Sequence, residues 1–165
     1  MSYIFLRAKV DKIKNKSFRP IKNHKHYPKP IGGIWFSEYT PNKEFVSSWQ
    51  KFNIKEGLYI EDVTGEGIVF DVDPCAKIYR IDSYEDALSL CQRFGDRSKD
   101  SFLGKWINWE KVASKYDGVY LSASGIANGA LRLMGSWDIE SGVLFKIKYI
   151  INQKKIDITN CQSSF

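Results

Sequence analysis

Two stretches of the sequence concentrate side chains that can do chemistry on a small molecule. The first runs Lys29-Pro30-Ile31-Gly32-Gly33-Ile34-Trp35-Phe36-Ser37 and is followed by Ser48-Trp49; the second is Ser136-Trp137-Asp138-Ile139-Glu140-Ser141-Gly142. Paired glycines let backbone come close to a ligand, and tryptophan offers it a flat apolar face. Asp138 and Glu140 offer carboxylates that, held in a cleft, stabilise positive charge developing on a reacting group. Arg7, inside the apolar run Phe5-Leu6-Arg7-Ala8, adds a guanidinium that needs an anionic partner wherever it is buried. The candidates for chemistry are therefore Glu140, Asp138, Arg7 and Ser37. Those for holding a ligand are Arg7, Gly32, Gly33, Trp35, Ser37, Trp49 and Trp137. All are expected to meet in one cleft.

Other chemistries are poorly served. The sequence has no P-loop, no G-x-G-x-x-G after a strand, no G-x-S-x-G elbow and no H-E-x-x-H. Cys75, Cys91 and Cys161 are widely spaced and form no CxxC pair, which argues against a disulfide framework and a zinc knuckle. His24 and His26 have no acid or cysteine cluster beside them, so they read as surface residues and no metal is expected. A reducing cytoplasm fits these cysteines. No apolar run reaches the roughly 18 residues a membrane helix needs, so no membrane partner is expected.

Charge is unevenly spread. The chain carries a formal +6, but residues 1–30 alone hold nine Lys and Arg against Asp11, which leaves the remainder at −2. Such a segment suits an anionic partner met through Lys12, Lys14, Lys16, Arg19, Lys22 and Lys25, or else it is a solvated lysine-rich loop. With Tyr27 and Trp35 as stacking or anchor residues, a non-catalytic binder of nucleic acid or of an acidic protein is one complete reading of the chain.

The elements that must position these residues follow from periodicity and turn signals. Residues 3–10 read as a strand with Phe5, Arg7 and Lys9 on a ligand-facing side and Leu6, Ala8 and Val10 on the core side. Residues 11–31 have three prolines and no period, and read as a basic loop. After the Gly-Gly strand, a helix over 44–52 aligns Phe45, Ser48, Trp49 and Phe52. Strands are predicted over 57–62, 66–73 and 76–81, separated by Thr64-Gly65-Glu66-Gly67 and Asp73-Pro74. The best-marked helix spans 83–94, with Ser83 and Asp86 at its start, the stripe Ala87, Leu88, Cys91, Phe94, and Gly95 at its end. Asn108 caps a helix over 109–115 that turns Trp109, Val112 and Ala113 inward. A strand then follows Tyr116-Asp117-Gly118, residues 123–136 form a Gly-rich loop, and 142–151 is the last strand. The end, Ser163-Ser164-Phe165, is expected to fray. Strands and short helices without a regular βαβ beat give an α+β fold. We expect a single domain over 1–165, with a bent or split mixed sheet of six or seven strands and about three short helices.

With Arg7 in Phe5-Leu6-Arg7, Ser37 in Gly32-Gly33-Ile34-Trp35-Phe36-Ser37 and Glu140 in Asp138-Ile139-Glu140-Ser141, the chain resembles the ADP-ribosyltransferase-like superfamily, together with the RES-type NAD-consuming toxins. It departs from them in having Gly-Gly-Ile-Trp for Gly-Gly-Arg-Trp and no Glu-x-Glu pair. It is also similar to small phage and bacterial proteins with Gly-Gly-x-Trp, Tyr-Asp-Gly and Trp-Asp-x-x-Ser runs. The resemblance implies a split α+β fold and a nucleotide-binding enzyme that cleaves NAD or a related nucleotide. It implies a protein, nucleic acid or water acceptor, a role in phage–host conflict, and NAD as substrate. Arg7 would then hold the ribose or phosphates, Ser37 and Gly33 the nicotinamide, and Glu140 the ribose. Breaking the glycosidic bond builds positive charge on the ribose, which a carboxylate nearby would stabilise.

Overall fold

In the computed structural model, residues 1–6, 11–41, 44–96 and 105–159 are described. The elements, in chain order, are β1 (Ser2–Leu6), β2 (Lys22–Asn23), β3 (Pro30–Ile31), β4 (Ile34–Glu38), α1 (Ser48–Glu56), α2 (Ile60–Val63) and β5 (Glu66–Val72). There follow β6 (Ile78–Ile81), α3 (Tyr84–Phe94), α4 (Trp109–Ala113), β7 (Gly118–Leu121), α5 (Ala123–Ala127), β8 (Ser141–Leu144) and β9 (Ile150–Asp157). Seven strands form one mixed sheet in the order β6-β7-β8-β4-β1-β5-β9. Among the described residues only β6 and β7 run parallel. Strands β2 and β3 make a separate small hairpin. This is an α+β domain in which β1 lies inside the sheet and β9 closes one edge.

Central strands covered on both sides must be apolar on both sides. In β1, Tyr3 and Phe5 join Phe36, Phe70 and Tyr120 on one face of the sheet, while Ile4 and Leu6 pack toward Val46 and Ile158 on the other. The first group is an aromatic cluster: the Tyr3 and Phe36 rings meet edge-on at 4.7 Å, and Phe36 stacks on Tyr120 at 5.9 Å. The alternation around Arg7 puts the ligand-facing side of β1 with Phe5 and the core side with Leu6; the structure reverses this, because Phe5 packs into the aromatic cluster and the Ile4 and Leu6 side borders the cleft described below. Residues 7–10, which include Arg7 itself, lie outside the described residues. Over β6, β7 and β8 the opposite face is covered by the main core, with Leu90 and Phe94 from α3 and Trp109 and Val112 from α4 packed on Val119, Leu121 and Val143.

Local signals explain the best-placed helices. The Ser83 hydroxyl caps α3 by accepting from Asp86 N–H, and the Asp86 carboxylate accepts from Ser83 in return. The start of α1 moves four residues past the predicted one because Ser47, not an earlier residue, accepts from Gln50 N–H; Gly57 at φ 67 ends it. Three expectations change. Residues 57–62 are not a strand: Leu58, Tyr59 and Ile60 are β-prone, yet the chain turns at Gly57 and Tyr59, both with left-handed φ, into α2. The segment 123–136 holds α5 and a 3-10 turn at Ala130–Arg132, with Gly125 pressed so closely on Ile81 that a Cβ would lie 2.2 Å from its carbonyl oxygen. The run 142–151 divides between β8, in the sheet centre, and β9, at its edge. Alternation persists through both and hides the crossing. The two extra short helices raise the number among the described residues to five. No helix among the described residues is long and apolar enough to cross a membrane.

Candidate functional site

The helical cover of the sheet has a gap. One layer, α3 and α4, sits over β6 to β8; the other, α1 with Val46, sits over the far side near β5 and β9. Between them, above β1 and β4, is a cleft of about 510 Å³. Its floor is Ile4 and Leu6 of β1 with Trp35 and Ser37 of β4, which share a face because strand side chains alternate. Trp49 of α1, Tyr59 and Asp62 wall one side. Lys29, Asp138 and Ile139 wall the other, where the Lys29 ammonium meets the Asp138 carboxylate at 3.3 Å. The sequence candidates Gly33, Trp35, Ser37, Trp49 and Asp138 therefore do line one cleft. Tyr59 and Asp62 were not anticipated, because the run read as a strand there gives no sign of the turn at Tyr59 (φ 48) that brings them to the rim.

Glu140 does not line this cleft. Pairing of β4 with β8 stops at Phe36 opposite Gly142. One step further the Glu140 side chain, 4% exposed, takes over: its carboxylate accepts from Glu38 N–H at 3.0 Å and from the Ser37 hydroxyl at 2.6 Å. Ser37 and Glu140 come together as the sequence analysis expects, but as a buried lock between two strands. Charge-assisted bonds of this kind are the strong ones in a protein interior. The Tyr120 hydroxyl lies beside the same carboxylate, and burial together with that negative charge pushes the phenol far above its usual range. Tyr3 is raised as well, by burial first, with the neighbouring Arg80 guanidinium opposing. Both phenols are held neutral.

The remaining candidates are explained by packing. Trp137 is 1% exposed, lying between Trp35 at 5.0 Å and Trp109 at 5.8 Å, so it packs beside the floor residue Trp35 within the main core and does not line the cleft. Gly32 and Gly33 adopt φ 87 and 69, and Gly33 N–H donates to the Arg19 carbonyl at 2.8 Å. A Cβ on Gly32 would sit 2.4 Å from the Pro20 carbonyl oxygen, and one on Gly33 2.6 Å from that of Leu144. Backbone does come close here, but the closest approach is by the chain's own segment.

That segment is less loop-like than its composition suggests. Ile13 is 2% exposed, its backbone N–H and C=O joined to the Gln153 amide on β9. Further along, Asn23 and Pro28 are fixed to Trp109 on α4. The cations themselves, Lys12, Lys14, Lys16, Arg19, Lys22 and Lys25, are exposed. Lys12, Lys14 and Lys16 lie in the segment held to β9, Lys22 and Lys25 in β2 and its turn beside α4, and Arg19 between them, where its carbonyl meets Gly33. His24 is no free ligand, since its Nδ1 accepts from His26 and Tyr27 N–H. No protein-family model, no curated protein and no solved structure matches the chain.

Proposed function

We propose that the cleft above β1 and β4 binds a nucleotide of the NAD class, and that the chain cleaves its glycosidic bond in the manner of an ADP-ribosyltransferase-like enzyme. The observation that carries the reading is the lining itself. Trp35, Trp49 and Tyr59 give a planar ring apolar faces to lie on. Lys29 supplies a cation for phosphate, and Asp138 supplies a carboxylate on the same wall.

Of the two carboxylates in the second stretch, Asp138 is the one with access to a ligand, and we assign it the role that the sequence alone suggests for Glu140. The C–N bond of the nicotinamide riboside breaks with its electron pair leaving on nicotinamide, and the Asp138 charge stabilises the cation left on the ribose. Water adds to that carbon and gives its proton to solvent. Lys29 exchanges its bond to Asp138 for one to the incoming pyrophosphate. The test is nicotinamide release from NAD followed by chromatography, for the native chain and for Asp138→Asn. Release by the native chain and its loss in the variant support the assignment; no release, or equal release by both, defeats it.

A further inference from the structure

We infer that the hairpin β2–β3 and the turn that joins its strands bind single-stranded nucleic acid, with Tyr27 as a platform for one base and Arg19, Lys22 and Lys25 as contacts for the phosphates. Lys29 at the end of this turn walls the cleft, but Tyr27, Arg19, Lys22 and Lys25 are not among the residues that line it, so the inference does not depend on what the cleft holds.

The first observation is how firmly the hairpin is presented. Trp109 N–H donates to Asn23 Oδ1 at 2.6 Å, and Trp109 Nε1–H donates to the Pro28 carbonyl at 2.6 Å. Asn23 Nδ2 reaches Glu110 at 2.9 Å. Inside the turn, His24 Nδ1 accepts from His26 N–H at 2.9 Å and Tyr27 N–H at 3.1 Å. Two buried prolines, Pro28 and Pro30, add stiffness. A preformed tip loses little conformational freedom on binding.

The second is what the tip displays. Tyr27 is 54% exposed, its ring standing edge-on to His24 at 5.0 Å. Lys25 in the same turn, Lys22 in β2 and Arg19 three residues before β2 are exposed, whereas two acids beside the hairpin are engaged: Glu110 accepts from Asn23, and Asp138 from Lys29. An aromatic ring left in water on a cationic tip matches a partner carrying both phosphates and unstacked planar bases. A duplex keeps its bases stacked inside and offers the ring nothing; an acidic peptide satisfies the cations and offers no base.

The test is fluorescence anisotropy of the full chain with a labelled oligothymidylate of about 12 nucleotides, within the span one small domain covers, against a duplex of equal length and polyglutamate as competitor. The single strand should bind more tightly than the duplex and resist polyglutamate. Tyr27→Ala should weaken it about 5- to 150-fold, the range for one stacked base, while Tyr27→Trp restores it. Replacing Arg19, Lys22 and Lys25 by alanine should make the slope of log K against log salt shallower by about 2, from three phosphates. Replacing Lys12, Lys14 and Lys16, beside β9, should leave the Tyr27 effect unchanged. Duplex binding as tight as single-strand binding, full competition by polyglutamate, or an unchanged affinity in a Tyr27→Ala variant that melts like the native chain each overturns the inference. Nicotinamide release, measured on the same variants, reports on the cleft alone.

Discussion

Replacing Glu140 separates a buried lock from a catalytic carboxylate. Its oxygens hold Ser37 Oγ at 2.6 Å and Glu38 N–H at 3.0 Å, with the Tyr120 hydroxyl alongside. Glu140→Gln keeps the shape and an acceptor for Glu38, and Ser37 can turn its proton to the Glu140 carbonyl 3.3 Å away. What is lost is charge assistance. A bond to a charged group contributes roughly 1.5–3 kcal/mol against about 1 for a neutral one, so the net cost is about 1–2 kcal/mol once relief of the buried charge is counted. Glu140→Ala leaves Glu38 N–H and Tyr120 without this acceptor and opens a hole, for about 3–5 kcal/mol. At roughly 2–4 °C per kcal/mol for a chain of this length, melting should fall by about 2–8 °C for the glutamine variant and by more than 6 °C for the alanine one. Scanning calorimetry reads this, alongside NAD binding well below the transition. A glutamine variant that melts like the native chain but releases no nicotinamide would refute the lock and restore Glu140 to the chemistry.

Three further outcomes follow from the geometry. Gly33→Ala must place a Cβ 2.6 Å from the Leu144 carbonyl oxygen at φ 69, so urea should unfold it with a loss of at least about 1–3 kcal/mol; an unchanged midpoint contradicts the crossing of backbones described here. Burial pushes the Asp117 carboxyl up, but the Lys146 ammonium at 2.6 Å and Lys77 N–H at 2.9 Å outweigh it and hold the group below the usual carboxylate range. Its contribution is therefore complete above the unfolded value of about 3.9 and is lost as pH falls through the folded one, so Asp117→Asn should melt lower near neutrality and converge with the native chain in acid; a gap that persists in acid argues against the pair. Burial raises the Cys91 thiol to about 11, while Cys75 is exposed, so iodoacetamide near neutral pH should label Cys75 and spare Cys91 in peptide maps of the folded chain; prompt labelling of Cys91 would show that its site opens.

Much of the fold is written locally. The Ser83–Asp86 cap, the Asn108 cap of α4 and the alternation in β5 and β6 are decided within a few residues, and they appear where the sequence puts them. The cleft residues of β4 were legible for the same reason, since Trp35 and Ser37 share a face in any strand. What was not legible depends on partners far along the chain. The side chain of Glu140 replaces a strand contact with Glu38, 102 residues away, and no local pattern distinguishes that from a carboxylate aimed at a ligand. Gly32 and Gly33 announced a close approach without naming what approaches, and it is Arg19 and Pro20. The apolar run at Leu58–Ile60 carries strand propensity but has no strand beside it, so it turns instead and gives the cleft Tyr59.

The central claim is that the cleft between the two helical layers takes an NAD-class nucleotide, and isothermal titration of the native chain with NAD tests it most directly. The account predicts saturable binding at one site, weakened in Trp49→Ala and in Lys29→Ala and retained in Asp138→Asn, because Asp138 acts on the bond and not on affinity. No saturable heat, or binding that is unaffected by both Trp49→Ala and Lys29→Ala, would contradict it.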